Sequence, residues 1–189
     1  ELVWKEYKFF NNIGDFHNGF AIVKKESQGF NFINPQGELL WSEFKNYDKV
    51  FRFTEGFAFV EIKGRGWNLI NTQGELLWKE YKNFVWVSYF HDGFACINLK
   101  GKGYNFINEQ GELLWKEDKW FVNAWDFSEG FAWVYKEEQG YNFINTNGEL
   151  LWKGNEWFSN IVSFDNGFAK VKYKGDWYKL NTKGELIFY

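Results

Sequence analysis

Gly56-Phe57-Ala58-Phe59-Val60-Glu61-Ile62, a Gly64-Arg65-Gly66 turn, Trp67-Asn68-Leu69-Ile70, then Asn71-Thr72-Gln73-Gly74-Glu75-Leu76-Leu77: this run decides the fold. Its opening triplet recurs at a constant step of 37, as Gly19-Phe20-Ala21, Gly93-Phe94-Ala95, Gly130-Phe131-Ala132 and Gly167-Phe168-Ala169. A fixed period in the range of about 20 to 50 residues means that each copy is one supersecondary unit, able to bury its apolar face only by stacking on its neighbours. The chain is therefore an array.

In the second copy, Tyr47 to Phe53 is aromatic and β-branched, Phe57 to Lys63 and Trp67 to Thr72 alternate, and Glu75 to Glu80 closes the repeat. Four strands fit, and their connections are short enough to force antiparallel hairpins. Asn71 and Gly74 suit the first and fourth positions of a type I turn, as do Asn34 and Gly37, Asn108 and Gly111, Asn145 and Gly148, and Asn181 and Gly184. The strands carry Ala58, Val60 and Ile62 on one face and Phe57 and Phe59 on the other, so both faces of each sheet are read as covered. The fold class is all-β: five tandem 37-residue four-stranded antiparallel meanders in one repeat domain over residues 1–189. A five-bladed β-propeller is the preferred arrangement, with an open β-repeat solenoid as the alternative. The closing strand occurs six times, from Glu1-Leu2-Val3-Trp4 to Glu185-Leu186-Ile187-Phe188-Tyr189, which leaves one extra at a terminus. Lys170 and Lys179 stand where other copies have apolar residues, as expected of a capping repeat with one face in water.

Hydrophobic residues make up 45% of the 189 and aromatics 24%, ample for a core and incompatible with disorder. Glycine reaches 19 and proline one, Pro35, as many tight turns and ladder-forming strands require. A net charge of −3 with interspersed lysine and glutamate lacks the basic footprint of a nucleic-acid binder. Runs such as Phe84-Val85-Trp86-Val87 are too short to span a membrane. Glu1 is not a natural start, so the chain reads as a mature or trimmed fragment, and its compartment is left open.

The frame Glu-Gly-Phe-Ala-Phe-Val, followed by Gly-Trp-Asn-Leu-Ile-Asn and Gly-Glu-Leu, resembles the WG (KWG) repeats of bacterial proteins over all five copies. The resemblance rests on the acidic-Gly-Phe-Ala turn, the aromatic opening the third strand and the Asn-x-x-Gly-Glu turn. It departs where a glycine should follow that aromatic: Asn31, Asn68, Asn105, Asn142 and Tyr178 stand there. Trp41, Trp78, Trp115 and Trp152 fall where the family commonly has aliphatics and prolines, marking a divergent member. The resemblance implies a bacterial or phage-related repeat module and brings no catalytic residues with it.

Residue chemistry points away from catalysis. His17 and His91 occupy one turn position in different copies, with no zinc motif around them. Cys96 is the single cysteine, at a site otherwise held by Ile, Phe, Trp or Lys, and reads as a small buried hydrophobe. The glutamates after each turn glycine recur in every copy, unlike the isolated carboxylate pair of a glycosidase. No enzyme activity and no cofactor or metal are expected.

Two sets of residues are candidates for recognition. Asn31, Asn68, Asn105 and Asn142 lie mid-strand, where asparagine is unfavourable; their amides either close open backbone groups or form repeated pockets that read hydroxyls. Trp86, Tyr89, Trp120 and Trp157 are aromatics that do not recur: Trp86 aligns with Asn12, Lys49, Asn123 and Asn160, and Tyr89 with Asp15, Arg52, Asp126 and Ser163. Polar equivalents place such rings at the surface, where they would anchor a protein partner or stack on sugars. The leading reading is a non-enzymatic repeat module or scaffold engaging a protein. A multivalent carbohydrate-binding protein and a structural subunit self-associating through its terminal strands are the alternatives.

Overall fold

The computed structural model describes residues 10–115 and 120–188. The expected strand at Glu1-Leu2-Val3-Trp4 and the final Tyr189 lie outside the described residues. The chain divides into two compact units, residues 1–84 and 85–189.

All described regular structure is β. The first unit holds β1 (Asn12–Ile13), β2 (Ala21–Lys25), β3 (Gly29–Ile33), β4 (Lys49–Val50), β5 (Phe57–Ile62) and β6 (Gly66–Asn71). They form two antiparallel sheets in the orders β1-β2-β3 and β4-β5-β6. The second unit continues with β7 (Phe84–His91), β8 (Phe94–Leu99), β9 (Gly103–Ile107), β10 (Asn123–Ala124), β11 (Phe131–Lys136), β12 (Gly140–Asn145), β13 (Asn160–Asp165), β14 (Phe168–Tyr173), β15 (Asp176–Asn181) and β16 (Leu186–Phe188). Its sheets run β7-β8-β9, β10-β11-β12 and β13-β14-β15-β16. Each is a meander of neighbouring strands, as the short connections require.

Both expected turn chemistries are present. Glu55 and Gly56 have φ of 51° and 86°, the paired positive values of a type I′ hairpin turn, and Thr54 and Phe57 exchange hydrogen bonds across it. In the second turn, Gly74 N donates to Asn71 O (2.9 Å), and Asn71 Oδ1 accepts from Glu75 N (3.0 Å). Asn71 Nδ2 also donates to Glu75 Oε2 (2.9 Å), which gives the recurrent glutamate its structural role. The same amide–carboxylate bond joins Asn34 to Glu38, Asn145 to Glu149 and Asn181 to Glu185.

The fourth strand is where the structure departs from the sequence reading. Among the described residues only the last repeat forms it as a ladder, β15 pairing β16 through Tyr178↔Phe188, Lys179↔Ile187 and Leu180↔Leu186. In the other four it shrinks to single bridges: Ile33↔Leu39, Ile70↔Leu76, Ile107↔Leu113 and Ile144↔Leu150. The cause is the mid-strand asparagine. After Leu40 N bonds Phe32 O, the chain turns off the sheet, and Asn31 reaches across the opening with Oδ1 accepting from Trp41 N and Nδ2 donating to Trp41 O. The chain then returns to pair Lys45 with Phe30. In the last repeat Tyr178 replaces the asparagine, has no amide to offer, and the backbone ladder forms directly.

The core lies between consecutive sheets of each unit. In the first, Phe20, Ile22 and Phe32 pack against Phe53, Ala58, Val60 and Ile70. In the second, Cys96 and Phe106 meet Ala124, Phe127, Ala132, Val134 and Ile144, and Phe143 meets Phe164, Ala169, Val171 and Leu180. Facing sheets thus interlock a ring-bearing face with a small-residue face, the large-against-small filling that close packing demands. Trp41 Nε1 donates to Gly74 O (2.9 Å) and Trp115 Nε1 to Gly148 O, so these recurring indoles tie one repeat to the turn of the next.

Candidate functional site

The mid-strand asparagines bond to the backbone of their own repeats. All four are buried. Asn68 Nδ2 donates to Trp78 O (2.9 Å), while its Oδ1 accepts from Leu69 N (2.8 Å) and Trp78 N (3.2 Å). Asn105 and Asn142 bond Trp115 and Trp152 in the same way. Each amide pairs with backbone groups that would otherwise be buried unpaired, the backbone-closing role of the two that the sequence offers.

The non-recurring aromatics gather on two adjacent sheets of the second unit. Trp86, on β7, is 38% exposed and lies edge-on to Tyr104 at 6.1 Å. Tyr104 in turn exchanges backbone bonds with Phe121, next to half-buried Trp120, over which Lys102 Nζ sits at 5.7 Å. Tyr89 is half-buried on the same strand as Trp86. On the next sheet, Tyr141 pairs its backbone with Phe158, beside half-buried Trp157, and Lys136 Nζ lies 5.8 Å from the Trp157 ring. The structure therefore sets Trp86 against Tyr104, whose backbone partner Phe121 follows Trp120, and places Trp157 at the point equivalent to Trp120 one repeat on.

Trp125 was not singled out by the sequence reading. It is 53% exposed, and its indole lies parallel to that of Trp133 (6.3 Å, 4°). Trp133 contacts Tyr141 at 5.8 Å, which contacts Tyr135 at 4.8 Å, giving a continuous aromatic ladder across β11 and β12. The missing signal was available: Trp125 aligns with Gly14, Phe51, Ser88 and Val162, as variable a set as that of Trp86. Exposed Val85 and Val122 extend the apolar surface on the two sheets.

The titratable groups are dispersed. His17 Nε2 lies 3.2 Å from Arg52 Nη1, and His91 Nε2 lies 3.9 Å from Asp126 Oδ2. Among the described residues no three His, Cys, Asp or Glu side chains converge as metal ligands would. Burial, then the charge of Asp126, pushes the Cys96 thiol up, away from the reactive thiolate. Burial also raises the Asp126 carboxyl, against a lowering bond from Ser88 and the charge of His91. Asp126 Oδ1 has no hydrogen-bond partner among the described residues. The folded state thus holds this proton more tightly than the unfolded chain, so stability falls as pH rises from the ordinary carboxyl range through the raised value. Asp126→Asn is expected to melt above the wild type at neutral pH, with the gap closing in acid; thermal melts across pH check this.

Among the described residues no helix is long and apolar enough to cross a membrane. No curated protein matches the chain. Among solved structures, the computationally designed Ika8 protein matches with a TM-score of 0.51 at 12% identity, over 93% of this chain and 60% of that one. BamB from Moraxella catarrhalis gives 0.43 at 11% identity, over 91% and 61%. The computationally designed Ika4 protein gives 0.44 at 10%, over 74% and 92%. The chain spans about 60% of the length of the first two, and at these identities the likeness to Ika8 speaks to fold alone. A family model described as WG containing repeat matches residues 10–27, 32–65 and 121–139. Those stretches are WG-containing repeats, and the chain is an all-β repeat protein.

Proposed function

We propose that this chain is a non-catalytic repeat scaffold that binds a protein partner through the aromatic surface of residues 85–189. The observation that carries the reading is the exposure of Trp86 and Trp125, at positions that are polar or mixed in the other repeats, on a framework most of whose recurring aromatics are spent on packing. Exposed indoles held rigid by ring neighbours lose little entropy on binding, which is why tryptophan dominates interface energetics. The net charge of −3 favours a protein over a nucleic acid. With their amides bonded to backbone, the asparagine series lends no support to the equivalent sugar pockets of a multivalent lectin.

The test is affinity capture from native extract, then titration of the purified partner against Trp86→Ala and Trp125→Ala. Each single change is expected to weaken binding by about 30-fold, the scale of a hot-spot residue of about 2 kcal/mol. Binding unchanged in both variants would reject the surface. A parallel glycan array showing several equivalent sites per chain would replace the protein-binding reading with the carbohydrate one.

A further inference from the structure

Within each unit, consecutive repeats meet through one recurring ring pair. In the first unit Phe20 packs on Phe53 at 5.0 Å, and in the second Phe94 packs on Phe127 at 5.4 Å and Phe131 on Phe164 at 4.6 Å. The first ring of each pair comes from Gly-Phe-Ala, and the second from the strand edge of the following repeat, where Phe53, Phe127 and Phe164 are all buried. In each series a single member is exposed. Phe16, the strand-edge ring of the first repeat, is 46% exposed beside Ile13 at 44%. Phe168, the Gly-Phe-Ala ring of the last repeat, is 41% exposed.

Phe168 lines an open cavity of about 440 Å³ together with Val162, Ser163, Asp165, Asn166, Lys170 and Lys179. Phe131, its counterpart one repeat earlier, has the ring of Phe164 stacked on it. We infer that the Phe168 cavity of one copy receives Phe16 and Ile13 of a second copy, extending the repeat-to-repeat interface from chain to chain, head to tail.

Three further features favour a second copy as the occupant. The receiving strands already follow the internal template, with Val162↔Lys170 and Lys170↔Lys179 in register on the sheet β13-β14-β15. The incoming edge carries exposed Asp15 next to Phe16, opposite in sign to Lys170 and Lys179, which outnumber Asp165 in the cavity lining. Asn18 of the first repeat donates its Nδ2 to Phe53 O (3.2 Å) in the following repeat. Asn166 holds the same repeat position, now bonded to Asp165 Oδ1, and would donate to Phe16 O of the second copy. An interface of this kind is heterologous and self-propagating, so each chain has one donor and one acceptor end.

The experiment is sedimentation velocity on the full chain across a wide concentration range, with Phe16→Glu and Phe168→Glu. Both rings are exposed, so neither change removes core packing. Wild type is expected to gain mass with concentration, through dimers to longer species. Each variant alone should stay at the mass of one chain, and their equimolar mixture should stop at two, because one intact Phe168 cavity meets one intact Phe16 edge and nothing is left to extend. A wild type that stays at one chain throughout, or oligomers that survive both substitutions, or a mixture that fails to pair, would overturn the inference.

Discussion

Asn142→Ala is expected to cost the fold about 3 to 5 kcal/mol, measured by chemical denaturation. The side chain bonds three backbone groups: Phe143 N (2.8 Å), Trp152 N (3.1 Å) and Trp152 O (3.1 Å). Alanine strands them where Phe143 is fully buried and water has little access. Each unpaired buried group costs about 1 to 3 kcal/mol, and partial relaxation keeps the total below the simple sum. For a domain stable by about 5 to 15 kcal/mol, that is a large share. Asn142→Asp should be no milder, since it keeps the acceptor but turns a carboxylate oxygen toward Trp152 O. Asn147→Ala, at an exposed turn position, should change stability by less than about 0.5 kcal/mol.

Gly140→Ala is expected to have the second largest effect, about 3 kcal/mol or more. Gly140 has a φ of +100°, and a Cβ there would lie 2.5 Å from Phe158 O, the acceptor of the Tyr141 N–H bond that rejoins the returning chain to the sheet. Both strain and clash oppose the side chain, and the obstacle is backbone. Gly130→Ala separates the two causes: φ is +80° there, with nothing within 4 Å of the added carbon. It should cost only the left-handed backbone penalty, about 1 kcal/mol. Equal losses at the two sites would show that the close approach at Phe158 contributes nothing.

The repeat frame was legible because its determinants are local and strictly spaced. Gly56 and its equivalents supply the positive φ of a hairpin turn, and Asn71 with Glu75 closes the next turn through side-chain bonds. The fourth strand was misjudged as a regular ladder because its sequence, Glu75 to Glu80, has strand-like composition in every copy. What decides the outcome lies about ten residues upstream, in whether an amide at position 68 or its equivalents competes with the backbone for the same partners. Tyr178, the one exception in the series, marked where the ladder would survive.

The surface was legible only in part. Polar equivalents correctly marked Trp86 as exposed, but Trp120 and Trp157 flank the returning backbone bridges and are half-covered, with lysines over their rings. Trp125 stacks on Trp133, whose equivalents Ile22, Phe59, Cys96 and Lys170 are mixed, so no recurring signature marks the pair. Sequence alignment of repeats reports variability, while exposure depends on which strand edge the neighbouring sheet leaves open.

Side-chain amide hydrogen exchange by NMR tests the central claim, that recurring polar positions hold the repeat together and recognition is left to the non-recurring aromatics. The Nδ2 protons of Asn31, Asn68, Asn105 and Asn142 should exchange at least about a hundredfold more slowly than those of exposed Asn12, since only opening of the sheet frees them. Exchange as fast as that of Asn12 in all four would mean open clefts available to a ligand, and would contradict the account.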